Sequence, residues 1–395
     1  MTDSAISLDE RLQPPAAGLA PAARRVIRGE GLLAAVWADH RPFLLAASSF
    51  IVGSQLVGAL AGWRGMAGLW TYYALAAMWC AISAPLTLLV LLFRERLRAE
   101  RACPTLSTSA AWRTAARHVR DHVLTPRRVA GFLAVILVVP PTLATFNGWK
   151  VSISLFQPFA WDHRLMVLDR LLHGGADPWA LLQPVLGFPA ITTALGYVYG
   201  AGWLSVTNFA VFVAAWDTDS ARRNRFFVTY VLAWALLGCA MATGLSSAGP
   251  CYFAAVAGGT APDPYAPLMA YLRDVIAVTP IPSVVAQEAL WRAQERGLSF
   301  VGAGVSAMPS LHVAMATLVC LYAARRGRLA GAAAAAFAIL ILVGSVHLGW
   351  HYAVDGYVSA LCVAALWWAL GRAPSARRAR RVRDEAVPGF VTRAS

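Results

Sequence analysis

The apolar residues of this chain are gathered into eight long runs almost free of charge. They extend approximately over Pro42 to Trp63, Ala67 to Phe93, Val129 to Phe146, Phe188 to Ala215, Phe226 to Leu245, Met308 to Ala324, Leu329 to Gly349 and Tyr352 to Leu370. A run of about 18 such residues is long enough to cross the hydrocarbon core of a bilayer as a helix. That core offers no water to backbone N–H and C=O groups, so spans of this length must satisfy them internally as helices. Strands of about ten alternating residues are not seen. The expected fold is an all-α integral membrane protein of about eight transmembrane helices. Composition agrees, because only 14% of residues are charged, where a soluble domain carries about a quarter.

Lysines and arginines orient the bundle, since basic loops stay on the cytoplasmic side. With the N-terminus inside, 27 of the 34 basic residues fall in the inner segments. Those segments are a tail over 1–41, a loop over 94–128, two short turns, and a basic tail over 371–395. Topology and attraction to an anionic inner leaflet therefore account for the net charge of +14, and no nucleic-acid partner is implied. Residues 1–41 are rich in Pro, Ala and Arg, with no apolar core of a signal peptide. Of six cysteines only Cys251 falls on the outer side, which excludes an outer disulfide within one chain. A preponderance of Arg over Lys, with abundant Ala, points to a GC-rich bacterial genome and so to the inner (cell) membrane.

Two outer loops are long, about 147–187 and 246–307. In the first, Trp161 to Leu172 has apolar residues at three- and four-residue spacing before Gly174-Gly175. It reads as an amphipathic surface helix whose Asp162, His163, Asp169 and His173 face water. The second is broken by Pro250, Pro262, Pro264, Pro267, Pro280 and Pro282, with room for a helix over Ser283 to Arg296.

Within the runs, the only Asp, Glu, Lys, Arg or His residues are His312, His347 and Asp355, and His351 lies just outside the last. Such groups are costly in lipid and mark function. The orientation places all four at the outer face, although only Lys and Arg were used to assign it. A carboxylate one turn from a histidine accepts its ring proton and fixes the tautomer, so Asp355 suits His351 as a nucleophile toward phosphorus. His312 is then placed to act as acid and base. Pro309 suits a first helical position, where free N–H groups favour an anion, with Ser306 and Ser310 as further donors. His347 is a fourth candidate for substrate binding, or else a packing residue. Tyr252, Trp350 and Tyr352 read as interfacial aromatics.

Pro309-Ser310-Leu311-His312 and His351-Tyr352-Ala353-Val354-Asp355 resemble the second and third motifs of the type-2 phosphatidic acid phosphatase superfamily. The Pro-Ser-Leu-His variant is similar to its inositol-phosphorylceramide synthase branch. The resemblance implies a six-helix catalytic domain over 129–370, preceded by a helix pair over 42–93. It also implies catalytic roles for His312, His351 and Asp355 through a phospho-histidine, without a metal or other cofactor. The family's third-motif arginine is replaced by Ser345. Its first motif has only a look-alike in Lys150, the sole lysine, followed by Gln157-Pro158. The expected place for that motif, Ser246 to Tyr252, holds no cation. Lys150 is thus either the missing phosphate ligand or an interfacial lysine.

The function expected is a lipid phosphatase or phosphotransferase, its partners being the bilayer, a lipid phosphoester and an acceptor, either water or a lipid alcohol such as a ceramide. Two rival readings remain. One is a metal-dependent intramembrane hydrolase using the two histidines and the aspartate as ligands. The other is a transporter or flippase with a proton relay.

Overall fold

The computed structural model describes residues 29–63, 66–257 and 263–372. Residues 1–28 and 373–395 of the expected tails, Arg64 and Pro262 lie outside them. Among the described residues all regular structure is helical. The main helices are α1 (Gly29–Ala61), α2 (Leu69–Ala102), α3 (Thr108–His118), α4 (Pro126–Phe156), α5 (Asp162–Leu172), α6 (Pro178–Leu186) and α7 (Pro189–Ala215). They continue as α8 (Ser220–Gly244), α9 (Ala266–Val278), α10 (Pro282–Glu295), α11 (Leu311–Ala324), α12 (Arg328–His347) and α13 (Ala353–Arg372). α1, α2, α4, α7, α8, α12 and α13 are long and apolar enough to cross a membrane. This is an all-α multi-pass membrane protein.

Two departures from the expected runs shape the site. The run expected over 308–324 becomes α11, only 14 residues, about 21 Å long. α11 packs against α7, α8, α12 and α13, with Val313, Ala314, Met315, Ala316 and Leu318 fully covered. The run ending at Phe146 instead continues as helix to Phe156, because Asn147 and Gly148 interrupt apolarity without breaking the helix. The proline-rich segment yields α9 and α10, bent by 116°, and α10 agrees with the expected helix within a residue.

The described residues form two compact units, one of 29–41 and 92–134, the other of 42–91 and 135–372. In the first, Arg127 makes a two-pronged ion pair with Asp39 at 2.7 Å. The second holds the candidate site. Both α7 and α8 contain a π-helical stretch, Val198–Gly202 and Ala233–Met241, a widening of the helix that often accompanies functional sites.

The end of α11 remote from His312 is held by Asp217, which accepts from Arg222 at 2.6 Å, Tyr322 Oη at 2.8 Å and Arg326 at 3.2 Å. Burial opposes its ionisation, yet the donors from Arg222, the Asp219 N–H and Tyr322 outweigh it and keep its carboxyl below the usual range. A depressed carboxyl contributes stability that is complete above its unfolded value of about 3.9 and disappears as pH falls through its folded value. Asp217→Asn is accordingly expected to destabilise the fold at pH 7 by about 3 kcal/mol. In thermal-unfolding series of both proteins, this difference should shrink toward pH 3.

Candidate active site

A tight turn joins α12 to α13. The Ser345 carbonyl accepts the N–H groups of Trp350 at 2.9 Å and His351 at 3.2 Å, and Gly349 takes a φ of +71°. The position where the resembled motif has arginine thus holds a buried serine whose backbone shapes the turn. His351 Nδ1 lies 3.3 Å from Asp355 Oδ2, which also accepts the Tyr352 N–H at 3.0 Å. Asp355 is fully buried and His351 is 6% exposed. With Nδ1 held by the carboxylate, Nε2 is the nitrogen left to react.

His312 occupies the first turn of α11. Ser310 caps this helix, its Oγ accepting the Val313 N–H, and its own N–H reaches the Asp355 carbonyl at 3.4 Å. That bond ties the start of α11 to α13. The His312 imidazole is sandwiched between Tyr199 and Trp203, with ring centroids at 4.4 and 4.1 Å. Trp203 Nε1 also donates to the His312 carbonyl at 3.0 Å. The His312 and His351 ring centroids are 6.5 Å apart.

Both histidines line a cavity of about 460 Å³ with Lys150 and Ser306 beside them and chiefly apolar walls beyond. Lys150 is the one Lys or Arg among the lining residues. It is helical, a consequence of the longer α4, and not part of a loop. Its Nζ lies 3.4 Å from the Gly302 carbonyl. Gly304, at φ +86°, lets the chain pass against α4, since a Cβ there would meet the Lys150 carbonyl group at 2.9 Å.

Of the residues singled out in the sequence, His312, His351, Lys150, Ser306, Pro309, Tyr252 and Trp350 line this cavity, with Asp355 behind His351. Ser310 and His347 do not. The Ser310 hydroxyl is engaged as the helix cap. His347 is buried elsewhere, its Nε2 2.9 Å from Thr192 Oγ1, which in turn meets Tyr271 Oη at 2.7 Å. The His347, His351 and Asp355 set of the metal reading is not assembled. Among the described residues no group of three or more His, Cys, Asp or Glu side chains is arranged to hold a metal ion.

Asp162 and Asp169, expected to face water, are buried at 3% and 2% exposure. Asp162 accepts from Ser247 Oγ, Ala248 N and Gly249 N at 2.8 to 2.9 Å and from Tyr352 Oη at 3.0 Å. It thereby joins the 246–252 segment to the residue after His351. Asp169 accepts the Ala353 and Val354 N–H groups at 2.8 Å each, capping α13 from another helix. Burial pushes the Asp169 carboxyl up, against the pull of these two donors. The sequence did carry a signal. Residues 162, 165, 166 and 169 fall on one helical face, so both carboxylates share the face of Leu165 and Met166, which are buried too. His163 is exposed as expected. Tyr352, read as interfacial, is instead a buried donor, and burial raises the Cys251 thiol well above its ordinary range, which keeps it protonated.

A family model described as PAP2 superfamily matches residues 163–370, just over half of the chain. Comparison with curated proteins and with solved structures gave no match. The matched segment holds His312, His351 and Asp355 and ends two residues before α13 does. It begins beyond Lys150, so the lysine is no part of the match. Apolar spans, a histidine–aspartate pair facing a second histidine, and this match agree, and the chain belongs to the PAP2 superfamily, with the phosphatase or phosphotransferase type of function that membership carries.

Proposed function

We propose that the protein cleaves or transfers a phosphoester of a lipid through a phospho-histidine at His351. The observation that carries this reading is the His351–Asp355 pair, set across one cavity wall from His312 and beside a single cation, Lys150. His351 Nε2 attacks phosphorus while Asp355 takes the Nδ1 proton interaction and steadies the imidazolium. The P–O bond to the leaving group breaks, and that oxygen receives a proton from His312. The acceptor hydroxyl then gives its proton to His312, its oxygen attacks phosphorus, and the P–N bond breaks. Water as acceptor yields a phosphatase. A lipid alcohol yields a transferase, the outcome that the Pro-Ser-Leu-His variant favours and that an inositol-phosphorylceramide synthase-like head-group transfer would represent. The basic-residue distribution supports a site on the periplasmic or extracellular face of a bacterial membrane, with both termini in the cytoplasm.

Lys150 is assigned to the phosphate. Lys150→Met is expected to raise KM for the phosphoester about tenfold or more, with Lys150→Arg retaining part of the affinity. Steady-state kinetics of the three proteins on one substrate decide it, and an unchanged KM would return Lys150 to a packing role.

The reading as a whole is tested by incubating purified wild type and His351→Ala with phosphorus-labelled bacterial lipid extract in excess EDTA. Acid-labile protein-bound label on wild type alone is expected, together with free phosphate or a new labelled lipid. Turnover that fails in EDTA and returns with zinc would refute it.

A further inference from the structure

The cavity reaches far beyond the two histidines. Along α8 its wall is formed by Tyr230, Trp234, Gly238 and Ala242, one residue from each successive turn, so it extends about three turns or 16 Å along the bundle. α4 runs along the cavity in the same direction as α8, and α7 in the opposite one. Tyr199 and Lys150 lie at the histidine end, Val211 and Leu143 at the other. The ionisable groups other than tyrosines are concentrated where His312, His351, Lys150 and Ser306 meet; farther along α7, Thr207 and Asn208 also line the wall, their hydroxyl and amide donating to the Trp203 and Leu204 carbonyls of the same helix at 2.7 and 2.8 Å. Gly238 lets Phe146 and Leu311 pack closely against α8, since a Cβ there would meet them at 2.7 and 3.0 Å. A space with phosphate-binding groups at one end and an apolar shaft beneath fits an amphiphile with its chain inserted lengthwise.

The shaft is not built by the matched family segment alone. Tyr72 and Leu75 of α2, and Leu143, Phe146 and Lys150 of α4, line it and precede residue 163. The start of α2 is held in place by the Ala67 N–H, which donates to the Ala144 carbonyl at 3.2 Å, and by Tyr73 Oη, which donates to the Leu137 carbonyl at 2.9 Å. Building on the phosphoester reading, we propose that α2 and α4 complete a chamber for one hydrocarbon chain of the substrate, and that its far end, at Leu143 and Val211, limits the chain length accepted. This gives α2, the second helix of the N-terminal pair, a role in substrate selection.

The full-length protein in lipid nanodiscs is photolabelled with hexadecyl phosphate carrying a diazirine either beside the phosphate or at mid-chain, and the adducts are mapped by mass spectrometry. The mid-chain probe is expected to label Leu75, Leu143, Val211 or Met315, and the proximal probe the surroundings of Ser306 and Trp350. Labelling confined to residues outside the cavity would overturn the proposal. In parallel, the ratio of turnover on hexadecyl to butyl phosphate should fall on the order of tenfold in Leu143→Trp and Val211→Trp. Leu143→Ala, which removes bulk and avoids an overpacked variant that fails to fold, should shift the preference toward longer chains. Unchanged chain preference in both directions would also overturn it. The two readings separate cleanly. Shaft labelling without turnover of any phosphoester would leave the chamber and remove the enzymatic reading, whereas turnover without shaft labelling would do the reverse.

Discussion

Asp355→Asn is expected to leave the bundle folded and to lower kcat by about 10⁴-fold. In the wild type one oxygen, Oδ2, both accepts the Tyr352 N–H and faces His351 Nδ1. An asparagine has only one oxygen to offer. If it stays on Tyr352, it still faces His351 but has lost the charge that steadies a positively charged phospho-imidazolium. If the amide turns, its NH₂ meets Nδ1, which must then be the acceptor, and the ring proton moves to Nε2, the atom meant to attack. Either way the nucleophile is disabled while side-chain volume barely changes. The measurement is kcat with the acid-labile label on the same preparation. Turnover within about tenfold of wild type would show that the pair does not form the reacting centre.

Asp162→Ala is expected to be the most damaging change outside the reacting groups, destabilising the protein by about 4 kcal/mol or more. Four donors, Ser247 Oγ, Ala248 N, Gly249 N and Tyr352 Oη, lose their acceptor, and each buried group left unsatisfied costs about 1–3 kcal/mol. Gly249 has no freedom to adapt. At φ +100° it sits so close to Trp350 that a Cβ would lie 2.7 Å from its carbonyl oxygen. The 246–252 segment should loosen from the α12–α13 turn, carrying His351 out of register. Asp162→Asn, which retains one acceptor oxygen, should recover part of both stability and turnover. Thermal unfolding followed alongside activity tests this, and a midpoint within a degree or two of wild type would contradict the bonding described.

The helical spans and the His312, His351 and Asp355 constellation were legible in the sequence for one reason. Charge is so improbable in an apolar run that three or four exceptions stand out, and topology alone brings them to one end. Asp162 and Asp169 stayed hidden because an aspartate in an amphipathic helix looks the same whether it meets water or buried donors, and its partners here are backbone N–H groups and hydroxyls 85 or more residues away. Tyr199 and Trp203 stayed hidden because aromatic residues in an apolar span carry no mark of which ring they stack on. His347 was open to two readings, substrate binding or packing. Its ionisable type suggested chemistry, whereas its neighbour Thr192 supplies an ordinary hydrogen-bond partner. Helix ends were the least readable, since Lys150 was assigned to a loop by the loss of apolarity at Asn147, although nothing there breaks the helix.

The chamber beneath the histidines also has a thermodynamic consequence. A ligand that fits it binds only the folded chain, so by mass action the folding free energy depends on how much of that ligand the surrounding membrane supplies, by about 2.7 kcal/mol at a hundredfold excess over the dissociation constant. The melting temperature should therefore report on lipid composition. Extraction into a detergent that strips or replaces the chain would lower it, and re-addition of the right chain length would restore it, before any reaction is assayed.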